Sequence, residues 1–345
     1  MKTSKIQNII FYIFLIVGSS SLLCSNVMMR NHPANAYLIP ILILPILIFI
    51  LFFSKINLNI KDIINNKILN IISLLYIIIS SFIHVLAYLK ITNDYFYNLT
   101  PPFLILIIIL LLSIYFSSYG INNIFNIGFV ISIFCFLLIV ITIFFNPSFL
   151  SLKTNMFNNI EIKNKFYLLS YIFIYIDILF ISMFNKNSTL SKKNFLLIII
   201  VSIIINSLLI IQNYLLFRYE FFISNKIPYI SKYLVISSKN IFEHFDLLYL
   251  IFITLYIITK LSLNIEIFRV SLKIKRNEYK IFSFLFILLI PITITKKLKI
   301  DVNIINYIMI ISSILLLIIL SISSINNWRK YGEKYKWVFK WMWRL

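Results

Sequence analysis

The chain has 345 residues, 61% of them hydrophobic and 12% charged, and its 32 lysines and arginines against 11 aspartates and glutamates give a net charge of +21. That much apolar surface excludes a water-soluble globule. The basic excess does not mark a nucleic-acid binder either, because the cations fall between long apolar runs, where membrane orientation rules put them.

A bilayer core about 30 Å thick is crossed by roughly 20 mostly apolar residues. Only helices and closed barrels pair every backbone group inside lipid. A barrel does not fit, since runs such as Leu104–Leu112 and Phe195–Ile205 lack alternation of apolar and polar residues. The expectation is an all-α polytopic membrane protein of about ten transmembrane helices. The spans fall near 8–28, 36–54, 71–91, 103–118, 124–146, 166–184, 195–216, 244–265, 281–295 and 303–323, the fourth and ninth being short. One membrane domain over 1–325 and a C-terminal tail over 326–345 account for the whole chain.

The first span is too long for a cleaved leader, and polar and charged residues from Ser25 to Arg30 follow it in place of a small-residue cleavage site. At its centre stand Gly18, Ser19, Ser20 and Ser21, which weaken a helix through backbone freedom and competing side-chain hydrogen bonds. Two readings are open there: a broken helix offering backbone groups to a ligand, or close approach of another helix over small residues. Cys24 and Cys135 lie inside spans, so buried free thiols rather than a disulfide are expected. Pro40, Pro45 and Pro291 are expected to kink their helices. Between the second and third spans, Ile56, Leu58, Ile60, Ile63 and Ile64 among polar residues fit a short interfacial segment or a solvated loop.

Ionisable groups inside spans are costly, and they usually face a cavity or a partner. His84, in the third span, has Ser80 and Ser81 one turn before it. It reads as a satisfied helix-packing histidine more readily than as a proton relay. Asp177, in the middle of the sixth span, is the most informative residue: a carboxylate there binds a cation, an amine or a proton, with Tyr171 and Tyr175 as nearby donors. The bland alternative is an acid held between helices or neutralised by burial. Asn206 and Gln212 in the seventh span are expected to bond between helices. Lys260, in the eighth, pairs with an acid such as Asp177, neutralises a substrate carboxylate or acts in a charge relay, or else snorkels to the interface on its long stem.

The tail interleaves Trp328, Trp337, Trp341 and Trp343 with six basic residues, the composition of an interfacial anchor on membrane lipids or of a docking surface for a partner. Nothing points to an enzyme or a cofactor. The chain has no phosphate-cradling glycine loop, no His-x-x-x-His metal pair and no Gly-x-Ser-x-Gly elbow.

Several local patterns, in order over residues 3–265, resemble the spore germination permease family, the B subunit of the nutrient germinant receptors of endospore-forming bacteria. They are Thr3-Ser4-Lys5-Ile6-Gln7 leading to Gly18-Ser19-Ser20; Leu99-Thr100-Pro101-Pro102; Tyr119-Gly120-Ile121-Asn122-Asn123-Ile124; Ile227-Pro228-Tyr229; Phe242-Glu243-His244-Phe245-Asp246; and Lys260-Leu261-Ser262. Asn126 stands near the place where that family has an arginine, and Asp177 where it more often has a glutamate. The family is similar to the amino acid, polyamine and organocation transporter superfamily. The resemblance therefore implies two inverted five-helix repeats with broken first and sixth helices. It makes Gly18–Ser21 and Tyr175–Asp177 candidate ligand contacts.

It further implies a membrane subunit in the spore inner membrane that binds a small nutrient, an amino acid above all, and works with an A subunit bearing a soluble domain and a lipoprotein C subunit. The alternative from another class is a free-standing proton- or sodium-coupled transporter of amino acids or related solutes. A third is a scaffold with no ligand at all.

With the N-terminus inside, the cytoplasmic segments hold nineteen lysines and arginines and the opposite face eleven. Both termini are therefore expected in the cytoplasm. A fluorescent protein fused after Leu345 should glow and an alkaline phosphatase fused there should be inactive; the reverse pattern would invert the topology.

Overall fold

The computed structural model describes residues 4–24, 38–53, 60–96, 101–144, 166–184, 191–216, 245–273, 305 and 307–322. Among these residues every regular element is a helix. In chain order they are α1 (Lys5–Ser19), which continues as a single wider π-helical turn over Ser20–Cys24; α2 (Ile39–Leu42) and α3 (Leu44–Phe53); α4 (Ile60–Asn65); and α5 (Lys67–Tyr95). Then follow α6 (Pro102–Ser117), α7 (Ile121–Phe144), α8 (Phe166–Phe184), α9 (Lys192–Leu216) and α10 (Phe245–Ser271), with a last helix, α11, over Tyr307–Ile322.

Five stretches are long and apolar enough to cross a membrane: Lys5–Leu23, Lys67–Asn93, Ile121–Ile141, Lys192–Gln212 and Asp246–Ser271. Four shorter apolar helices, Ile39–Ile50, Pro102–Ser117, Ser170–Phe184 and Tyr307–Ile322, fall on four of the other expected spans. The expected span at 281–295, with Pro291, and the tail over 326–345 lie outside the described residues.

Local chemistry explains several boundaries. At the start of α1, Ser4 Oγ accepts from the Gln7 amide at 3.2 Å and Gln7 Oε1 accepts from the Ser4 amide at 2.7 Å, a reciprocal cap. Asn66 caps α5 by accepting from the amides of Ile68 and Leu69, which starts that helix four residues ahead of its apolar stretch. Pro102 occupies the first position of α6, where a missing N–H costs nothing. Gly120, at φ 82°, supplies the left-handed residue that lets α6 turn directly into α7.

The second span is divided at Ile43, with Pro40 and Pro45 each in the first turn of its own piece. The segment before α5 is not simply a solvated loop. It forms α4, whose Ile63 is fully buried and whose Ile64 packs against the core.

α1, α8 and α10 form the interior. Residues 11–23, 170–184 and 256–268 are buried on every side, whereas α6, α7, α9 and α11 each expose a row of large apolar side chains, as a lipid-facing surface does. α10 packs on α5, α6, α7 and α1, while α1 packs on α7, α9, α10 and α8. The π-helical turn touches α5 and α8.

Two glycines let α1 come this close. A Cβ on Gly18 would lie 2.1 Å from Cδ2 of Tyr256 in α10, and one on Gly128 in α7 would lie 2.2 Å from Cε2 of Phe11. Gly18→Ala must therefore displace the Tyr256 ring. It should lower stability by about 1–3 kcal/mol, the usual range for overpacking. Thermal unfolding of the detergent-purified protein checks this, and an unchanged midpoint would contradict the close α1–α10 contact.

Candidate functional site

Asp177 lies on α8 with Ile176 and Ile178 beside it, and only 3% of its side chain is exposed. An isolated carboxylate in such surroundings carries an idealised desolvation cost of order 20 kcal/mol. It persists in charged form only with good partners. One is Lys260 of α10, whose Nζ stands 2.5 Å from Asp177 Oδ2 and whose side chain is 1% exposed. The other is Tyr76 of α5, whose hydroxyl donates to Oδ1. Each carboxylate oxygen thus takes a donor from a different helix, and the single anion ties α5, α8 and α10 together.

Tyr76 belongs to a row on α5. Tyr76, Ser80, His84, Tyr88 and Thr92 recur every fourth residue and all are buried, so they trace a polar stripe that winds slowly around the helix. His84 Nδ1 is 2.6 Å from the Ser80 carbonyl, so Nδ1 carries the proton and donates. The expected satisfaction of this histidine is therefore only half met. Its Nε2 is buried and has no protein partner among the described residues. The ring lies 5.9 Å from that of Tyr256 and 6.2 Å from that of Phe173, within electrostatic reach of both Lys260 and Asp177.

The small-residue stretch of α1 meets three tyrosines. Gly18 lies under the Tyr256 ring. Ser19 Oγ is 2.5 Å from Tyr256 Oη, and Ser20 Oγ is 3.1 Å from Tyr171 Oη. Tyr249 donates to the Ser21 carbonyl at 3.4 Å. The helix does depart from α geometry here, widening to a π-turn at Ser20. It does so while being tightly packed: the helix continues through the π-turn, and small residues let its neighbours approach, as the close-packing reading expects. A π-turn shifts the register of the residues after it, which is why such turns recur at functional sites.

Of the sequence-predicted residues, the structure unites Lys260 with Asp177 and joins Ser19 to α10 and Ser20 to α8. Lys260 does not snorkel. The Tyr171 and Tyr175 rings lie tilted against each other with centroids 5.7 Å apart, Tyr171 reaching the π-turn, and the donors identified on Asp177 come instead from α5 and α10. Sequence reasoning missed Tyr76, Tyr249 and Tyr256. The fourfold row on α5 was the signal for Tyr76, and the Tyr256–Lys260 spacing of one turn was the signal for Tyr256. Cys135 is a buried free thiol. Asn206 and Gln212 are both buried.

Chemically, the cluster is a neutralised carboxylate. Each carboxylate oxygen already has a donor, so an external cation or amine at Asp177 competes with Lys260 and Tyr76. Compared with known proteins, the chain matches no family model and no curated protein.

Removing one member of a buried pair leaves the other charge uncompensated, at a cost of about 3–5 kcal/mol, whereas removing both is far milder. Asp177→Asn and Lys260→Met should each lower the unfolding midpoint in detergent, and the double variant should lie well above the sum of the two losses. Strict additivity would show that the two side chains do not interact.

Proposed function

We propose that this chain is the membrane subunit of a spore nutrient germinant receptor, with ten spans arranged as two inverted five-helix repeats, that binds a small amine-bearing nutrient, above all an amino acid. The observation that carries the reading is the placement of two linkages one turn apart on α10: Tyr256 on Ser19 of the first helix, just before its π-turn, and Lys260 on Asp177 of the sixth expected span. A ligand ammonium that takes the place of Lys260 at Asp177 frees α10 on that turn and disturbs the hold of Tyr256 on α1 at the next. Such a change propagates only if the ligand prefers the rearranged state.

The resemblance noted in the sequence supplies the rest of the proposal. The nutrient sits near the bilayer midplane between the first and sixth spans, the membrane is the spore inner membrane, and the signal passes to the A and C subunits. Gly18–Ser21 and Tyr171, Tyr175 and Asp177 contribute the ligand contacts. Lys260 is the internal cation that the ligand displaces.

Spores carrying Asp177→Asn in place of the native residue test this. At normal abundance in the inner membrane they should lose nutrient-triggered germination or change their nutrient preference. Unchanged germination at normal abundance would remove Asp177 from the mechanism. Uptake of labelled amino acid by vesicles containing the chain alone would instead favour a free-standing transporter.

A further inference from the structure

Two buried serines depart from a habit of this chain. A serine hydroxyl on an apolar helix commonly donates to the carbonyl one turn earlier, and Ser81, Ser113, Ser202 and Ser262 each do so four residues back. Ser73 of α5 and Ser271 at the end of α10 do not. These residues are 0% and 1% exposed, and neither Oγ has a protein partner among the described residues. A third buried oxygen shares that condition, Oδ1 of Asn70.

Asn70 brings the three together. Its Nδ2 donates to the Ser271 carbonyl at 3.1 Å, satisfying one of the carbonyls that a helix C-terminus leaves without an intrahelical partner. That bond fixes the orientation of the amide and leaves Oδ1, its other arm, as an acceptor beside the last turn of α10. Ser73 follows Asn70 by three residues, so the two are neighbours on the surface of α5, about 5–6 Å apart at Cβ. The helices run antiparallel, and the contacts Asn70–Ser271, Ser81–Asn264 and Tyr88–Thr254 set their register. In that register Ser73 is level with the last turn of α10, where Ser271 lies.

The nearby charges on α10 are turned away. At 3.6 residues per turn, Glu266 and Arg269 stand about 140° and 160° around the helix from Ser271, and they bind each other through two hydrogen bonds of 2.6 and 2.5 Å. What remains at the junction is three neutral oxygens at the negative end of a helix dipole. Oxygen ligands suit a hard cation, and a set without a carboxylate falls short of what a divalent one requires.

We propose that Asn70 Oδ1, Ser73 Oγ and Ser271 Oγ form a binding site for a small monovalent cation, sodium above all, that clamps the start of α5 to the end of α10. A buried water is the other occupant that such oxygens accept; the partial negative charge at the α10 C-terminus favours the cation. Lys260 lies three turns earlier on α10, roughly 16 Å away along the axis, so this site is separate from the pair at Asp177.

The test compares thermal unfolding of the detergent-purified full chain in sodium chloride and in choline chloride of the same concentration. Sodium should raise the wild-type midpoint by a few degrees over choline, the rise growing with sodium concentration as mass action requires. Ser73→Ala and Ser271→Ala each remove one oxygen and leave the bond from Asn70 to the Ser271 carbonyl in place. In both, the sodium-dependent rise should shrink or vanish, whereas in Asp177→Asn it should persist. Equal wild-type midpoints in the two salts would overturn the proposal and leave water as the occupant. A full sodium rise in both serine variants, with or without its loss in Asp177→Asn, would overturn it as well.

Should the serine variants fail to fold, saturable binding of radioactive sodium to wild type and to Asp177→Asn decides. Equal binding near one ion per chain is expected; no binding, or binding lost with Asp177, would overturn the site. Loss of germination in Asp177→Asn spores bears on the nutrient reading alone, so the two ideas fail separately.

Discussion

One carboxylate organises the interior. Asp177 is the single acid of α8, and its neighbours along that helix are isoleucine, leucine, phenylalanine and tyrosine. In such surroundings a charge is tolerated only when its partners are themselves fixed. Lys260 and Tyr76 meet that demand from two other helices, so the position of α8 relative to α5 and α10 follows from a requirement of electrostatics more than of shape. Apolar side chains fill the space around the pair, but apolar contacts alone are poorly specific in lipid, where the alternative to a neighbouring helix is an equally apolar acyl chain.

α10 is the element on which the other constraints converge. Its buried face carries Tyr249 to the Ser21 carbonyl, Tyr256 to Ser19, Lys260 to Asp177 and Asn264 to Ser81. α1 can approach only because Gly18 has no side chain, and it departs from α geometry at the next turn. The π-turn and the close approach are thus two aspects of one local sequence, Gly18-Ser19-Ser20-Ser21. A change at the charge pair has a short physical route to the first helix through one turn of α10. Nothing longer is needed to couple them.

The helical, membrane-spanning character was plain from composition and run length, and nine of the ten expected stretches coincide with apolar helices. Helix ends were less legible. α5 and α10 extend past their apolar runs because Asn66 caps one and a Glu266–Arg269 pair along the helix accompanies the end of the other, effects that hydropathy does not register. In the site, the value of Asp177, of Lys260 and of the glycine-serine stretch could be read directly, since polar groups in apolar helices are conspicuous. The tyrosines were far less legible. Tyr76, Tyr249 and Tyr256 are amphipathic residues on an aromatic-rich chain, and only the three-dimensional arrangement shows whose hydroxyl turns inward and which oxygen it meets. For His84 the sequence suggested satisfaction by the serines one turn earlier. A ring has two nitrogens pointing in opposite directions, and one carbonyl serves only one of them.

The account depends on Asp177 being an ionised carboxylate opposite the Lys260 ammonium inside the bundle. The most direct measurement is the infrared difference spectrum between wild type and Asp177→Asn in lipid. It should show loss of the paired stretching bands of a carboxylate, shifted in turn by Lys260→Met. Loss of a protonated carboxyl C=O band instead, unaffected by Lys260→Met, would contradict the ion pair and the arrangement of helices built upon it.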